Sequence, residues 1–212
     1  MGVEKRKIIW SPNLAYAIGL ITTDGSLSKD GRHIDFTSND IELINNLKYC
    51  LKLENKIGKK LSGSTKKYSS FRIQFGDVLF YKWLLNIGLM PNKSKKLRSV
   101  KIPDKFFFDF LRGHLDGDGT IKRYNDPVYR NSLRLYISFV SASLSHILWI
   151  KQKITKLAGI KGFMRKKCGN GVYDLTFGKK ESIVLSKLLY YSADIPHLER
   201  KFFRVKDFLE KS

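Results

Sequence analysis

The chain has 212 residues, 42% of them hydrophobic and 13% aromatic, enough apolar material to bury a sizeable core as one domain or two halves. Its formal net charge of +21 is extreme for an ordinary cytosolic enzyme and makes a polyanion the first candidate partner. A membrane surface ranks behind it, because no signal peptide, long apolar run or basic amphipathic anchor is visible; Cys50 and Cys168, expected in core helix or strand positions, are too few and too far apart for a zinc knuckle or a disulfide framework, so a reducing compartment is expected.

In chain order, Leu14 to Asp24 reads as an apolar helix that runs into Gly25. Residues 26–37 read as a hairpin turning at Lys29-Asp30-Gly31-Arg32, and Asn39 or Asp40 caps a helix to about Leu53, with Ile41, Ile44, Leu47 and Leu51 on one side. Strands at 56–61 and 68–75 and a helix from Val78 to about Ile87 follow, then a basic stretch from Pro91 to Lys105 that suits an extended connector. The order then returns: an apolar helix ending in Asp116-Gly117-Asp118-Gly119, a hairpin over 120–140, a helix over 144–157, strands from Ile160 and near Tyr173, and a helix from about Lys180 to Tyr190. Phe71-Arg72-Ile73-Gln74-Phe75-Gly76 and Tyr173-Asp174-Leu175-Thr176-Phe177-Gly178 align as copies. An αββαββα unit repeated once predicts an α+β fold with pseudo-two-fold symmetry, divided at residues 1–102 and 103–212, with the connector from about 91.

The two helices ending in Asp-Gly carry the chemistry. Ala15, Gly19 and Thr23 recur every four positions, as do Gly113 and Gly117, which gives each helix a small stripe along one face. Stripes of this kind let helix backbones approach closely, so Gly19, Thr23, Gly113 and Gly117 are the expected interface. Gly25 and Gly119 suit a left-handed residue at the helix C-terminus. Packed this way, Asp24 and Asp118 meet side by side at helix ends that already carry partial negative charge. Two carboxylates with the last helix carbonyls, those of Thr23 and Gly117 among them, form a cluster of hard oxygens that needs a cation. Magnesium fits, and its natural use there is phosphodiester hydrolysis. A single Asp-Gly more often marks a hairpin turn; two, each ending a small-striped helix, favour the paired centre.

Strand alternation assigns faces. Ile34, Phe36, Phe71, Ile73 and Phe75 are expected to point inward, as are Leu133, Leu135, Ile137, Phe139, Leu175 and Phe177. The outward set is Ser26, Ser28, His33, Asp35, Thr37, Arg72 and Gln74 in the first half. In the second it is Thr120, Lys122, Arg134, Tyr136, Ser138, Arg165, Lys167, Asp174 and Thr176. A curved antiparallel sheet with this face can lie in the major groove of DNA. A merely solvated sheet face gives the same alternation; the net charge and the paired acids tip the reading toward DNA.

GLITTDG and GHLDGDG resemble the two motif copies of LAGLIDADG homing endonucleases in their single-chain form, and the likeness spans nearly the whole chain. The resemblance implies that Asp24 and Asp118 are the metal ligands, that Asp116, opposite Thr22, is not an essential one, and that the motif helices pack at the centre of a DNA-binding saddle. It implies a monomer that cuts both strands of a long duplex across the minor groove with Mg2+, leaving short 3′ overhangs; Mn2+ or Ca2+ can replace Mg2+ for binding. It also implies a catalytic lysine in the loop before the connector, best matched by Lys93. Aligning the second copy on Pro196 puts Leu198 opposite Lys93, so that Arg200 or Lys201 must supply the charge there. For each lysine a phosphate clamp is an equal reading. Ser38 and Ser141 fall where relatives hold a water-positioning residue, and no pair among His33, His114, His146 and His197 has metal-site spacing, so His114 reads as a packing or phosphate residue. The same fold leaves two alternatives, a group I intron maturase that binds intron RNA and a DNA-binding protein that does not cleave. The initial methionine and the lack of self-splicing ends favour free-standing expression.

Overall fold

A computed structural model gives the architecture and describes residues 8–61, 68–129, 132–167, 169 and 171–210. Helix α1 (Pro12–Asp24) starts where Ser11 accepts the Leu14 N–H at 3.1 Å and Pro12 takes the first helical position, where its missing N–H costs nothing. Strands β1 (Gly25–Leu27) and β2 (His33–Ser38), helix α2 (Ile41–Leu51), strands β3 (Gly58–Leu61) and β4 (Tyr68–Gly76) and helix α3 (Val78–Ile87) complete the first half. The second repeats the order with α4 (Phe107–Asp118), β5 (Thr120–Asn125), β6 (Leu133–Ser141), α5 (Leu144–Ala158), β7 (Phe163–Lys166), β8 (Tyr173–Phe177) and α6 (Lys179–Leu189). Two short helices, α7 (Glu199–Phe202) and α8 (Lys206–Glu210), close the described chain.

Each half folds its strands into one four-stranded antiparallel sheet, in the orders β1-β2-β4-β3 and β5-β6-β8-β7, so the expected α+β two-repeat architecture is present. Of the inward residues, Ile34, Phe36, Ile73, Leu135, Ile137, Phe139, Leu175 and Phe177 are fully buried and Phe75 nearly so, while Phe71 is half-buried. Burial of this kind stabilises by about 1.5–3 kcal/mol per large side chain, which makes a one-residue slip of register costly. Caps fix the helix starts: Asp40, Asp77 and Ser143 accept backbone N–H groups at the first turns of α2, α3 and α5.

Several local expectations are corrected. The stretch 91–105 is not simply extended: it winds 3-10 turns at Lys93–Lys95 and Asp104–Phe106, and Leu97, Val100 and Ile102 are buried, which pins it to the core. The buried face of α2 is Leu43, Ile44 and Leu47, while Ile41 is 38% exposed. β7 begins at Phe163 rather than Ile160, and Leu133 is half-buried at the far end of β6. Cys50 is half-buried on α2; Cys168 lies outside the described residues.

Candidate active site

Helices α1 and α4 lie against each other along their small residues, with room for nothing larger. A Cβ on Gly19 would sit 2.2 Å from the Phe110 carbonyl oxygen, one on Gly113 2.1 Å from that of Tyr16, and one on Gly117 2.0 Å from Thr23 Oγ1. Gly25 and Gly119 do not adopt the expected left-handed conformation. Both are extended, at φ −81°, ψ 153° and φ −77°, ψ 168°, and carry the chain straight from helix into strand. Their requirement is space: a Cβ would lie 2.6 Å from the Ile21 carbonyl oxygen at Gly25 and 2.7 Å from the Leu115 backbone at Gly119. The glycine signal was legible, but close approach and left-handed geometry use the same residue type.

The two helices therefore deliver Asp24 and Asp118 to one seam. Asp24 is half-buried and Asp118 is exposed at the seam's mouth. Asp24 Oδ2 lies 2.9 Å from where a Gly117 Cβ would be, which places it against the neighbouring helix. Burial first, and the negative charge of Asp118 second, push the Asp24 carboxyl up to about 6. The protein packed around Asp118 raises it as well. Burial thus biases both carboxyls toward the neutral form, against the pull of two nearby lysines.

Those lysines are Lys93 and Lys201, both buried. Lys93 Nζ donates to the carbonyls of Thr23, at 3.4 Å, and Gly25. Lys201 Nζ donates to those of Leu115, Asp116 and Gly119, the last two at 2.8 and 2.7 Å. Each occupies the C-terminal end of one motif helix, where a cation offsets the partial negative charge of unpaired carbonyls. Burial pushes each ammonium down to about 8, against the pull of Asp24 and Asp118 and, for Lys201, first of Asp116. Lys201 is therefore the counterpart of Lys93, and the alignment on Pro196 is corrected: Leu198 is core, and Arg200 points away to pair with Asp40 at 2.9 Å. The offset arises because Lys93 opens a 3-10 turn whereas Lys201 sits inside α7.

Asp116 stands apart from the seam. It is fully buried, accepting from the Tyr16 hydroxyl at 2.8 Å and the Leu198 N–H at 2.9 Å. Asn46 donates to the Tyr16 hydroxyl and to the His197 carbonyl, so this network ties α1, α2, α4 and the segment before α7 together. Ser38 and Ser141 each accept the N–H two residues ahead, from Asp40 and Ser143, and so shape the strand-to-helix turns.

The outward residues divide by half. In the first, Ser26, Arg72 and Gln74 are exposed, with Ser28, His33, Asp35 and Thr37 half-buried beside them. Arg72 is paired with Asp35, and His33 with Asp30. In the second, Thr120, Lys122, Arg165 and Lys167 are exposed. Arg134 is held by Asp126, and Tyr136 stacks on Tyr124 at 6.1 Å. Ser138, Thr176 and Asp174 are corrected. They lie on the expected face but are buried, because Ser138 bonds Thr176 at 2.8 Å and Thr176 bonds Asp174 at 2.8 Å, with Arg165 and Lys167 each 3.8 Å from the Asp174 carboxylate. Alternation reports the face of a strand, not whether neighbours cover it. His114 and His146, set apart as unrelated by their spacing, come together with ring centroids 5.3 Å apart.

Among the described residues no group of three or more His, Cys, Asp or Glu forms a ready-made metal site, and no helix is long and apolar enough to cross a membrane. Two carboxylates and helix-end carbonyls nonetheless suit magnesium, which is usually held by one or two carboxylates, waters and substrate phosphates.

The geometry is that of the two-repeat LAGLIDADG fold. Residues 11–74 match the family model described as LAGLIDADG-like domain. Among solved structures, the chain is similar to the homing endonuclease I-WcaI bound to its DNA recognition sequence, at 12% identity over 95% of this chain and 89% of that one, with TM-score 0.65. It is similar to the meganuclease I-SmaMI bound to uncleaveable DNA, at 16% identity over 96% of this chain and 89% of that one, with TM-score 0.60. It is also similar to full-length DUF199/WhiA from Thermatoga maritima, at 14% identity and TM-score 0.57; the match covers 97% of this chain but spans only 63% of that one. No curated protein sequence matches. At these identities the likeness is one of fold.

Proposed function

We propose that the protein is a site-specific, Mg2+-dependent DNA endonuclease that cuts both strands of a long duplex and leaves short 3′ overhangs. The observation that supports this most is the pair of carboxylates, Asp24 and Asp118, brought to one seam by glycine-lined helices, each helix end held by its own buried lysine. The fold alone does not carry the reading, since WhiA shares it. The net charge of +21 and the DNA seen in I-WcaI and I-SmaMI favour a duplex partner.

Asp24 and Asp118, with the Thr23 and Gly117 carbonyls beside them, would hold magnesium, whose charge activates water and stabilises the leaving oxygen. Lys93, bonded to the Thr23 and Gly25 carbonyls, and Lys201, bonded to those of Leu115, Asp116 and Gly119, hold the two helix ends and add positive charge beside the scissile phosphates. Ser26, Arg72 and Gln74 in one sheet, and Thr120, Lys122, Arg165 and Lys167 in the other, would meet the grooves and backbone. The chain acts as a monomer on this reading, because it supplies both repeats itself.

The test is cleavage of a randomised duplex library with and without Mg2+, followed by Asp118→Asn on any site recovered. Mg2+-dependent double-strand breaks, lost in Asp118→Asn with duplex affinity retained, are expected. No cleavage by the intact protein, together with tight binding to structured intron RNA, would replace the endonuclease by a maturase.

A further inference from the structure

The two acids are equivalent by position, but what stands behind them is not. Counting back four residues from Asp24 gives Leu20, and from Asp118, His114. Counting three from the cap of α2, Asp40, gives Leu43, and from the cap of α5, Ser143, His146. A leucine pair in the first half is thus a histidine pair in the second, and all four side chains are buried. Buried histidine in place of leucine is costly unless its nitrogens are satisfied.

They are satisfied only in part. His146 Nδ1 lies 2.7 Å from the Arg98 carbonyl, which can only accept, so this nitrogen carries the hydrogen. Burial holds both rings neutral, with His146 pushed down to about 4. His146 Nε2 is then a bare lone pair. It and His114 Nδ1 are buried with no protein partner. Both residues line one cavity of about 110 Å³, together with Thr22, Lys93, Ser141 and Asp118. A water needs roughly 10–15 Å³ and two to four polar partners, and the cavity offers both. No third acid, thiol or imidazole joins the two rings in a metal-binding group among the described residues.

We propose that this cavity is an internal water site of the Asp118 centre, in which His114 and His146 are positioning residues that hold hydrogen-bonded water against Asp118 and Lys93. The Asp24 centre, backed by Leu20 and Leu43, works without such a site, and the two strands are cut by unlike centres. The inference rests on the endonuclease reading for its consequence but not for the water itself.

The double variant His114→Leu, His146→Leu copies the first half into the second. It is expected to slow cleavage of one strand at least tenfold, so that nicked duplex accumulates, while the other strand, duplex affinity and cooperative unfolding are retained. His146→Gln, which keeps a polar atom near the Nε2 position, is expected to recover part of the loss. Unchanged rates on both strands, or equal slowing of both, would overturn the positioning role. Independently, 15N spectra of the histidine-labelled, metal-free protein should show His146 Nε2 as a hydrogen-bonded acceptor. A bare-nitrogen signature overturns the water site even in a protein that cuts nothing. Absence of all cleavage by the intact protein, with the acceptor signature present, removes the endonuclease reading and its strand asymmetry while leaving the water site standing.

Discussion

Leu20 on α1 and Leu43 on α2 are buried at the positions that His114 and His146 take in the second half, where stacked imidazoles line a cavity with Asp118. The first sheet leaves Arg72 and Gln74 exposed, whereas the second buries Asp174 and Thr176 in an internal network at the same registers. What the halves share is narrower: the close glycines, one acid each, and one buried lysine on the helix-end carbonyls. The shared set is what a paired centre requires of both helices. The unshared set is where each half is free to differ, so substitutions in the two sets should separate by size and by kind.

The largest effect should come from the shared helix contact. Gly113→Val places atoms where a Cβ alone would be 2.1 Å from a backbone oxygen, which cannot yield without parting the helices. A loss of about 4 kcal/mol or more in urea unfolding is expected, at the exceptional end for single substitutions. Gly58→Val, where a Cβ has only an ordinary 3.7 Å contact, should cost about 1 kcal/mol or less. Equal losses at the two sites would mean that the helix packing is looser than described.

Next is the pH dependence that the histidine pair of the second half should confer. His146 is pushed by burial from the ordinary 6.5 down to about 4, and His114 moves in the same direction. At these two positions the unfolded chain therefore binds more protons than the folded one in this window, opposite in sign to Asp24 and Asp116, whose carboxyls burial pushes up to about 6. The pair's own contribution, fully present above pH 6.5, is lost as pH falls toward 4, by about 3 kcal/mol for His146 at 1.36 kcal/mol per pH unit. The difference in stability between the wild type and the double leucine variant isolates the pair and should fall as pH is lowered from 6.5 toward 4; a difference that does not change with pH would show that the imidazoles are not buried neutral.

Smaller still are the lysines. Lys201→Met strips its hydrogen bonds from three carbonyls and Lys93→Met from two, so both should lose about 1–3 kcal/mol, the first more than the second. Losses in the opposite order, read from the same urea titrations, would show that the two helix ends are held differently than the bond pattern implies.

How much of this the sequence discloses follows the same division. Repeat order, strand faces and the meeting of Asp24 with Asp118 rest on periodicity and on glycine at helical spacing, and these are local signals. Lys201 was one of two candidates and Arg200 the other, because α7 shifts the position relative to the 3-10 turn at Lys93, and only packing shows the shift. The histidine pair was invisible for a related reason: His114 and His146 are joined across α4 and α5, and no spacing rule connects them. Burial of Ser138, Thr176 and Asp174 escaped because alternation is blind to a network that closes over its own sheet.

That last difference gives the finest test. Arg72 has a side chain 43% exposed, and Asp35 accepts from its Nε and Nη2, so on the endonuclease reading the remaining guanidinium edge would meet a groove. Arg72→Ala should weaken binding of a cognate duplex about tenfold, roughly 1.4 kcal/mol, and relax selectivity at one base position if the guanidinium reads a guanine edge. If it touches only phosphate, the loss should be similar for every sequence and the salt dependence should become shallower by about one charge. Thr176→Val should do neither. It breaks bonds to Ser138 and Asp174 inside the sheet and should cost about 1 kcal/mol of folding stability with duplex affinity unchanged. A loss of affinity at Thr176 as large as that at Arg72 would mean that the second sheet opens its network to meet DNA, and that the two faces are equivalent in the complex though not in the free protein.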